Sequence, residues 1–166
     1  MSVGMGEFLA VVAMLPRIFV QIAAYRDAEC QWTVRDLFKQ ATHPNRIMVG
    51  ICWQYHPEED KGLLVIDDER AGQVRLMNVD HKESQGACWA RHQVQKLWEG
   101  EDYVLQIDSH MRFEPAWDEK LIAMLAACPS EKVVLRPILV RIPRQITVSK
   151  VRYRYSRRIN LMSMMG

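Results

Sequence analysis

A chain of 166 residues that is 49% hydrophobic has material for one domain with a sizeable core and too little for two ordinary ones. Its formal charge of +2 hides an asymmetry, because residues 132–166 hold nine Lys or Arg and no Asp or Glu, which leaves the preceding residues net acidic. Four widely spaced cysteines (Cys30, Cys52, Cys88, Cys128) argue against a zinc knuckle or a disulfide framework, and the apolar run 8–15 is far shorter than the ~20 residues of a membrane span.

Residues 1–16 match no motif and read as an N-terminal extension; without a basic start they make a poor signal peptide, so a soluble, cytoplasmic protein with no membrane partner is expected. Residues 17–25 (RIFVQIAAY) are dense in β-branched and aromatic types and end in Arg26-Asp27, which predicts a buried strand opening into a loop. A helix follows over 32–42, where Val34, Leu37, Phe38 and Ala41 recur at helical spacing until His43-Pro44-Asn45 stops it. Residues 46–53 (RIMVGICW) form a second buried strand, and strand, helix, strand at this spacing is a βαβ unit with parallel strands.

Residues 54–72 are polar and acidic, a surface excursion in which 63–66 can form a short edge strand. A third strand is expected over 74–79. A helix over 83–98 carries Ala87, Ala90, Val94 and Leu97 on one face and breaks at Gly100. Residues 103–107 are a strand whose polar end is Asp108, and 117–127 are an amphipathic helix stopped near Pro129. The expected fold class is α/β, a mostly parallel sheet with flanking helices.

Ligands of open parallel sheets bind beyond the carboxyl ends of the strands, where loops converge and helix N-termini present N–H groups. Two polar clusters fall there. Asp108-Ser109-His110 follows one strand, and an extended or turning backbone can aim Asp108 and His110 at one point. A carboxylate with an imidazole suits Mn²⁺ or Mg²⁺ that also holds a diphosphate. Tyr25-Arg26-Asp27 follows the first strand.

Plainer readings stand beside these. Asp-x-His triplets are common; Arg26 and Arg91 suit surface ion pairs; Gly86 suits a cap or turn. His43 and His56 lie in polar loops, and Trp53, Trp98 and Trp117 suit core or rim packing. There is no glycine-rich phosphate loop, and Ser109 beside His110 lacks the glycine-flanked elbow of a hydrolase nucleophile.

The segments IFVQIAAYRDAEC, RIMVGICWQ and QGACWARHQVQKLWEGEDYVLQIDSHMRFEPAWDEKLI, in this order, closely resemble the cytoplasmic GlcNAc-transferring enzymes that modify peptidyl hydroxyproline, relatives of the mucin-type GalNAc transferases. The resemblance implies a GT-A, Rossmann-like fold, a UDP-GlcNAc donor, a divalent ion (Mn²⁺ or Mg²⁺), and retaining transfer to a protein or peptide hydroxyl such as hydroxyproline. In that pattern Asp108 and His110 are the metal ligands. Ala24, Tyr25 and Arg26 edge the nucleotide pocket, Gly86 and Arg91 lie over the uridine and diphosphate, and Asp27 faces the donor. The retaining mechanism has no agreed protein nucleophile, so no catalytic residue is assigned.

Residues 17–135 thus read as the donor-binding half of a GT-A domain, and the resemblance fades near Leu135, before the acceptor half. The basic stretch 136–166, with Arg136, Arg141, Arg144, Arg152, Arg154, Arg157 and Arg158, looks compositionally foreign. The preferred reading is a shifted coding frame: suitable codons for Leu135 onward, read one base early, encode Ser-Ala-Tyr-Pro-Arg-Ser-Tyr, which resembles the family's continuation. That reading leaves a truncated transferase with its turnover in doubt. The alternative is a non-catalytic nucleotide- or polyanion-binding protein that uses the basic tail, and only there is nucleic acid a partner.

Overall fold

A computed structural model describes residues 15–129 in full and, beyond them, the backbone of Pro137–Ile142 and Gln145–Val151. The N-terminal extension proposed for 1–16 falls almost wholly outside the described residues, as does most of the basic stretch 136–166.

Strands β1 (Ile18–Tyr25), β2 (Ile47–Tyr55), β3 (Val74–Asp80) and β4 (Tyr103–Asp108) form one parallel four-stranded sheet in the order β3-β2-β1-β4. Helix α1 (Cys30–Gln40) joins β1 to β2, α2 (Ala87–Gln95) lies between β3 and β4, and α3 (Trp117–Ala126) follows β4. This is the Rossmann-like α/β arrangement expected from the sequence. Strands β5 (Pro137–Ile142) and β6 (Gln145–Val151) pair antiparallel in a separate two-stranded sheet.

Period-two alternation explains why β1 and β2 read as nearly continuous hydrophobic runs, interrupted inside β1 by the buried Gln21. Ile18, Val20, Ile22 and Ala24 of β1, with Ile47, Val49, Ile51 and Trp53 of β2, share one core with Cys30, Val34, Leu37 and Phe38 of α1. The intervening Phe19 and Cys52 join a second core with Ala90 and Val94 of α2. Both faces of the central strands are therefore covered, and neither can carry an alternating polar pattern. Each fully buried side chain such as Leu37 or Ile51 contributes about 1.5–3 kcal/mol relative to exposure. Gly50 admits the second core's largest member: a Cβ there would lie 2.4 Å from Cζ of Phe19.

Three predicted elements differ. Residues 63–66 form no strand and join neither edge of the sheet, which are β3 and β4. Leu63, Leu64 and Ile66 instead pack half-buried against the main core. The helix predicted over 83–98 spans only 87–95. His81–Glu83 form a 3₁₀ turn in which the Asp80 carboxylate accepts the Lys82 N–H, and Gly86, at φ 91° and ψ 176°, redirects the chain into α2. Helix α1 starts at Cys30, two residues early, because Asp27 turns the chain: its carboxylate accepts the Glu29 N–H at 3.0 Å and its carbonyl the Cys30 N–H at 3.1 Å.

Helix α3 is anchored by a buried carboxylate. Asp118 in its first turn pairs with Arg46 at 2.9 Å and accepts the Thr42 and His43 N–H groups at 2.9 and 3.0 Å. Among the described residues no helix is long and apolar enough to cross a membrane.

Candidate functional site

The strand order decides where a ligand can sit. From β1 the chain steps to β2 and β3 on one side, then returns through α2 to place β4 on the other side of β1. Loops after β1 and β4 therefore diverge, and the crevice between them is the topological switch point at which open parallel sheets bind ligands. In register Ala23 lies opposite Asp108, so the two polar clusters leave the sheet side by side.

Within Asp108-Ser109-His110 the side chains alternate in exposure. Ser109 is buried, whereas the side chains of Asp108 and His110 are 46% and 50% exposed. The turn is clamped from below by Thr33 of α1, fully buried, whose hydroxyl donates to the Ser109 carbonyl at 2.7 Å and accepts the Met111 N–H at 2.9 Å. Thr33 is the polar member of the buried face that α1 otherwise builds from Cys30, Val34, Leu37 and Phe38, a legible signal for such a clamp.

Asp108 pairs with Arg91 of α2 at 3.3 Å, which brings the helix residue and the strand-end carboxylate together. Asp27 spans the crevice: its Oδ2 accepts the Ser109 hydroxyl at 2.5 Å and faces Nδ1 of His110 at 3.2 Å. Burial opposes ionisation of Asp27, but the hydrogen bonds from Ser109, the Glu29 N–H and His110 outweigh it and hold the carboxyl below its usual range.

The other expected site residues are placed as follows. Ala24 buries its methyl in the main core, so only its backbone can reach a ligand; its carbonyl accepts from the Gln54 amide at 3.3 Å. Tyr25 ends β1 and is 53% exposed. Arg26, at φ 49°, turns toward the 56–60 loop, where its Nε and Nη2 grip both oxygens of Asp60 at 2.8 and 3.0 Å and Nη2 also meets Glu59. The hydrogen bonds to Asp60 and then Glu59 raise its pKa well above the ordinary value, so this guanidinium is an ion-pair staple beside the crevice. Gly86 is linked to the end of β1 through a relay: its N–H meets the Ser84 hydroxyl at 3.4 Å, which donates to Gln54 of β2 at 2.6 Å, whose amide donates to the Ala24 carbonyl. Gln54 and Ser84 were not singled out from the sequence, although a buried glutamine closing the strand RIMVGICWQ was a visible cue.

His43 and His56 serve their loops. His43 sits 3.1 Å from Glu119, and Nδ1 of His56 accepts the Glu58 and Glu59 N–H groups at 3.2 and 3.1 Å. Trp53 and Trp117 are core residues, and Trp98 is a half-exposed rim residue whose indole donates to the Glu101 carbonyl. Burial pushes the Cys30 thiol up to about 12, which makes it an inert core group.

A family model described as Glycosyltransferase (GlcNAc) matches residues 17–69 and 65–158, most of the chain. The chain belongs to this glycosyltransferase family. Its reaction requires a nucleotide-sugar donor and an acceptor, and open parallel sheets of this kind bind ligands at the switch point. The second matched segment of the glycosyltransferase model continues past the quoted motifs and takes in β5 and β6. No curated protein matches the chain.

Among the described residues of this transferase, no three His, Cys, Asp or Glu side chains are grouped to enclose a metal ion. An ion at Asp108 and His110 would have two protein ligands among the described residues. That donor set fits a hard or borderline divalent ion which completes its shell from phosphate oxygens and water, and does not fit a closed structural zinc site.

Proposed function

We propose that the chain binds UDP-GlcNAc in the crevice between β1 and β4, with a divalent ion held by Asp108 and His110, and that it serves GlcNAc transfer to a protein hydroxyl such as that of hydroxyproline, as a partial GT-A domain. The observation that carries this reading is the convergence at one switch point of Asp108, His110, Asp27 and Arg91, drawn from three separate elements. When bound, Mn²⁺ or Mg²⁺ supplies Lewis-acid stabilisation of the departing diphosphate.

The chain's own residues have separable tasks in this proposal. Asp108 and His110 face solvent, as ligands to an entering ion must, while Ser109 faces inward and fixes the turn that presents them. Arg91, now 3.3 Å from Asp108, offers a guanidinium whose planar donors suit a diphosphate oxygen once the carboxylate turns to a cation. Gly86 has no side chain to obstruct an approach over the start of α2, where a Cβ would meet nothing within 4 Å. Tyr25, half-exposed at the end of β1, and the Ala24 backbone beside it suit the edge of a nucleotide pocket.

The test is binding. Calorimetric titration of UDP in the presence of Mn²⁺ should show affinity that Asp108→Ala abolishes and that chelation of the metal also removes. Unchanged UDP binding by Asp108→Ala would sink the proposal.

A further inference from the structure

We propose that Asp27 is the positioning residue of the Asp108-Ser109-His110 turn, holding the His110 imidazole with its proton on Nδ1 so that the Nε2 lone pair is presented to the crevice. The inference rests on the reading above only where it assigns that lone pair to a metal ion.

Both oxygens of Asp27 are engaged within the protein. Oδ1 accepts the Glu29 N–H at 3.0 Å, which fixes the side-chain rotamer against its own loop. Oδ2 accepts the Ser109 hydroxyl and lies 3.2 Å from Nδ1 of His110. An ionised carboxylate has no proton to give, so the ring nitrogen facing it must be the one that carries hydrogen. In a neutral imidazole this leaves Nε2 as the unprotonated atom.

Ser109 makes the arrangement rigid. Its side chain is held by Asp27 and its carbonyl by buried Thr33, so the peptide that carries His110 is fixed from the β1 loop and from α1 at once. A carboxylate that orients the far nitrogen of a metal-binding histidine also raises its basicity, and removing such a partner typically lowers metal affinity ~10–100-fold. Asp27 thereby acts through His110, and this positioning role requires no contact between its carboxylate and the donor.

The tests use the full chain and Mn²⁺ as the probe. Nitrogen-15 NMR of the metal-free protein, above the ordinary imidazole titration range, should show His110 as the Nδ1–H tautomer, and Asp27→Ala should lose that preference while circular dichroism stays unchanged. Should Asp27→Ala perturb the fold, the wild-type spectrum alone decides: a His110 protonated on Nε2 overturns the proposal. Electron paramagnetic resonance of free Mn²⁺ should show affinity falling about 10–100-fold in Asp27→Ala. The same substitution made on top of His110→Ala should cost almost nothing further. An equal loss in both backgrounds would mean that Asp27 contacts the ion or the donor directly, and would overturn the positioning role. Mn²⁺ affinity unchanged by His110→Ala would instead overturn the metal reading, and the tautomer spectrum tells that failure from a failure of the orientation.

Discussion

Two glycines show how differently one residue type can be required. A Cβ at Gly50 would lie 2.4 Å from the Phe19 ring, whereas one at Gly86 would touch nothing within 4 Å but would sit on a backbone at φ 91° and ψ 176°. The first constraint is steric and the second conformational, of the kind that costs non-glycine residues about 1–3 kcal/mol. Gly50→Ala should also lose about 1–3 kcal/mol by overpacking. The two can be told apart by urea unfolding: Phe19→Leu should recover part of the Gly50→Ala loss, and no truncation of a neighbour should rescue Gly86→Ala. Equal rescue of both would contradict the assignment. The sequence showed both glycines, and identified neither reason, because a φ angle and a ring's position are properties of the folded chain.

At the scale of elements, the turn after β4 depends on α1, the helix that joins β1 to β2. Thr33 of α1 supplies one hydroxyl to the Ser109 carbonyl and the Met111 N–H, so Thr33→Val keeps the side chain's shape and removes both partners at once. Leaving such buried groups unpaired costs about 1–3 kcal/mol. Hydrogen exchange should show the Met111 N–H losing protection while the strands β1 and β2 keep theirs. Protection that is unchanged at Met111 would show that the turn is held by something else. The periodic elements themselves were largely legible: β1, β2, β3 and β4 lie within a residue or two of where hydrophobic runs place them. The α2 region was not, because residues 81–86 carry a helix-compatible composition that the Asp80 turn and Gly86 override. Arg26 shows the same limit at the site. Its place after β1 was visible, but its grip on Asp60, 34 positions away, was not.

For the whole molecule, acid stability follows from carboxylates whose ionised form the fold prefers. Burial disfavours the charge on Asp118, but the Thr42 and His43 N–H groups and Arg46 more than compensate, and its pKa lies below the ordinary value of 3.8. The unfolded chain therefore binds the proton first as pH falls. The contribution is complete above the unfolded pKa and is lost as pH drops through the folded one. Asp27 and Glu101, also held below their usual range, act in the same sense. Asp118→Asn should cost about 3–5 kcal/mol near neutrality by stranding Arg46, and should flatten the acid limb of the stability profile measured by denaturant unfolding below about pH 4. An acid limb as steep as that of the unsubstituted protein would place the sensitivity elsewhere.

The sequence by itself determined the α/β class, the parallel strand order's raw material and the polar clusters at two strand ends, since hydrophobic periodicity and strand-end polarity are local properties of the chain. It also held the family resemblance that the family match supports in its coarser form, a GlcNAc-type glycosyltransferase. Only the tertiary structure decided that β4 lies against β1, that Asp27 meets Ser109 and His110 more than eighty residues away, and that Arg91 rather than Arg26 faces the candidate ligand motif. Those contacts arise from sheet order and loop closure, and residues so far apart in sequence carry no local signature of the partner they will find.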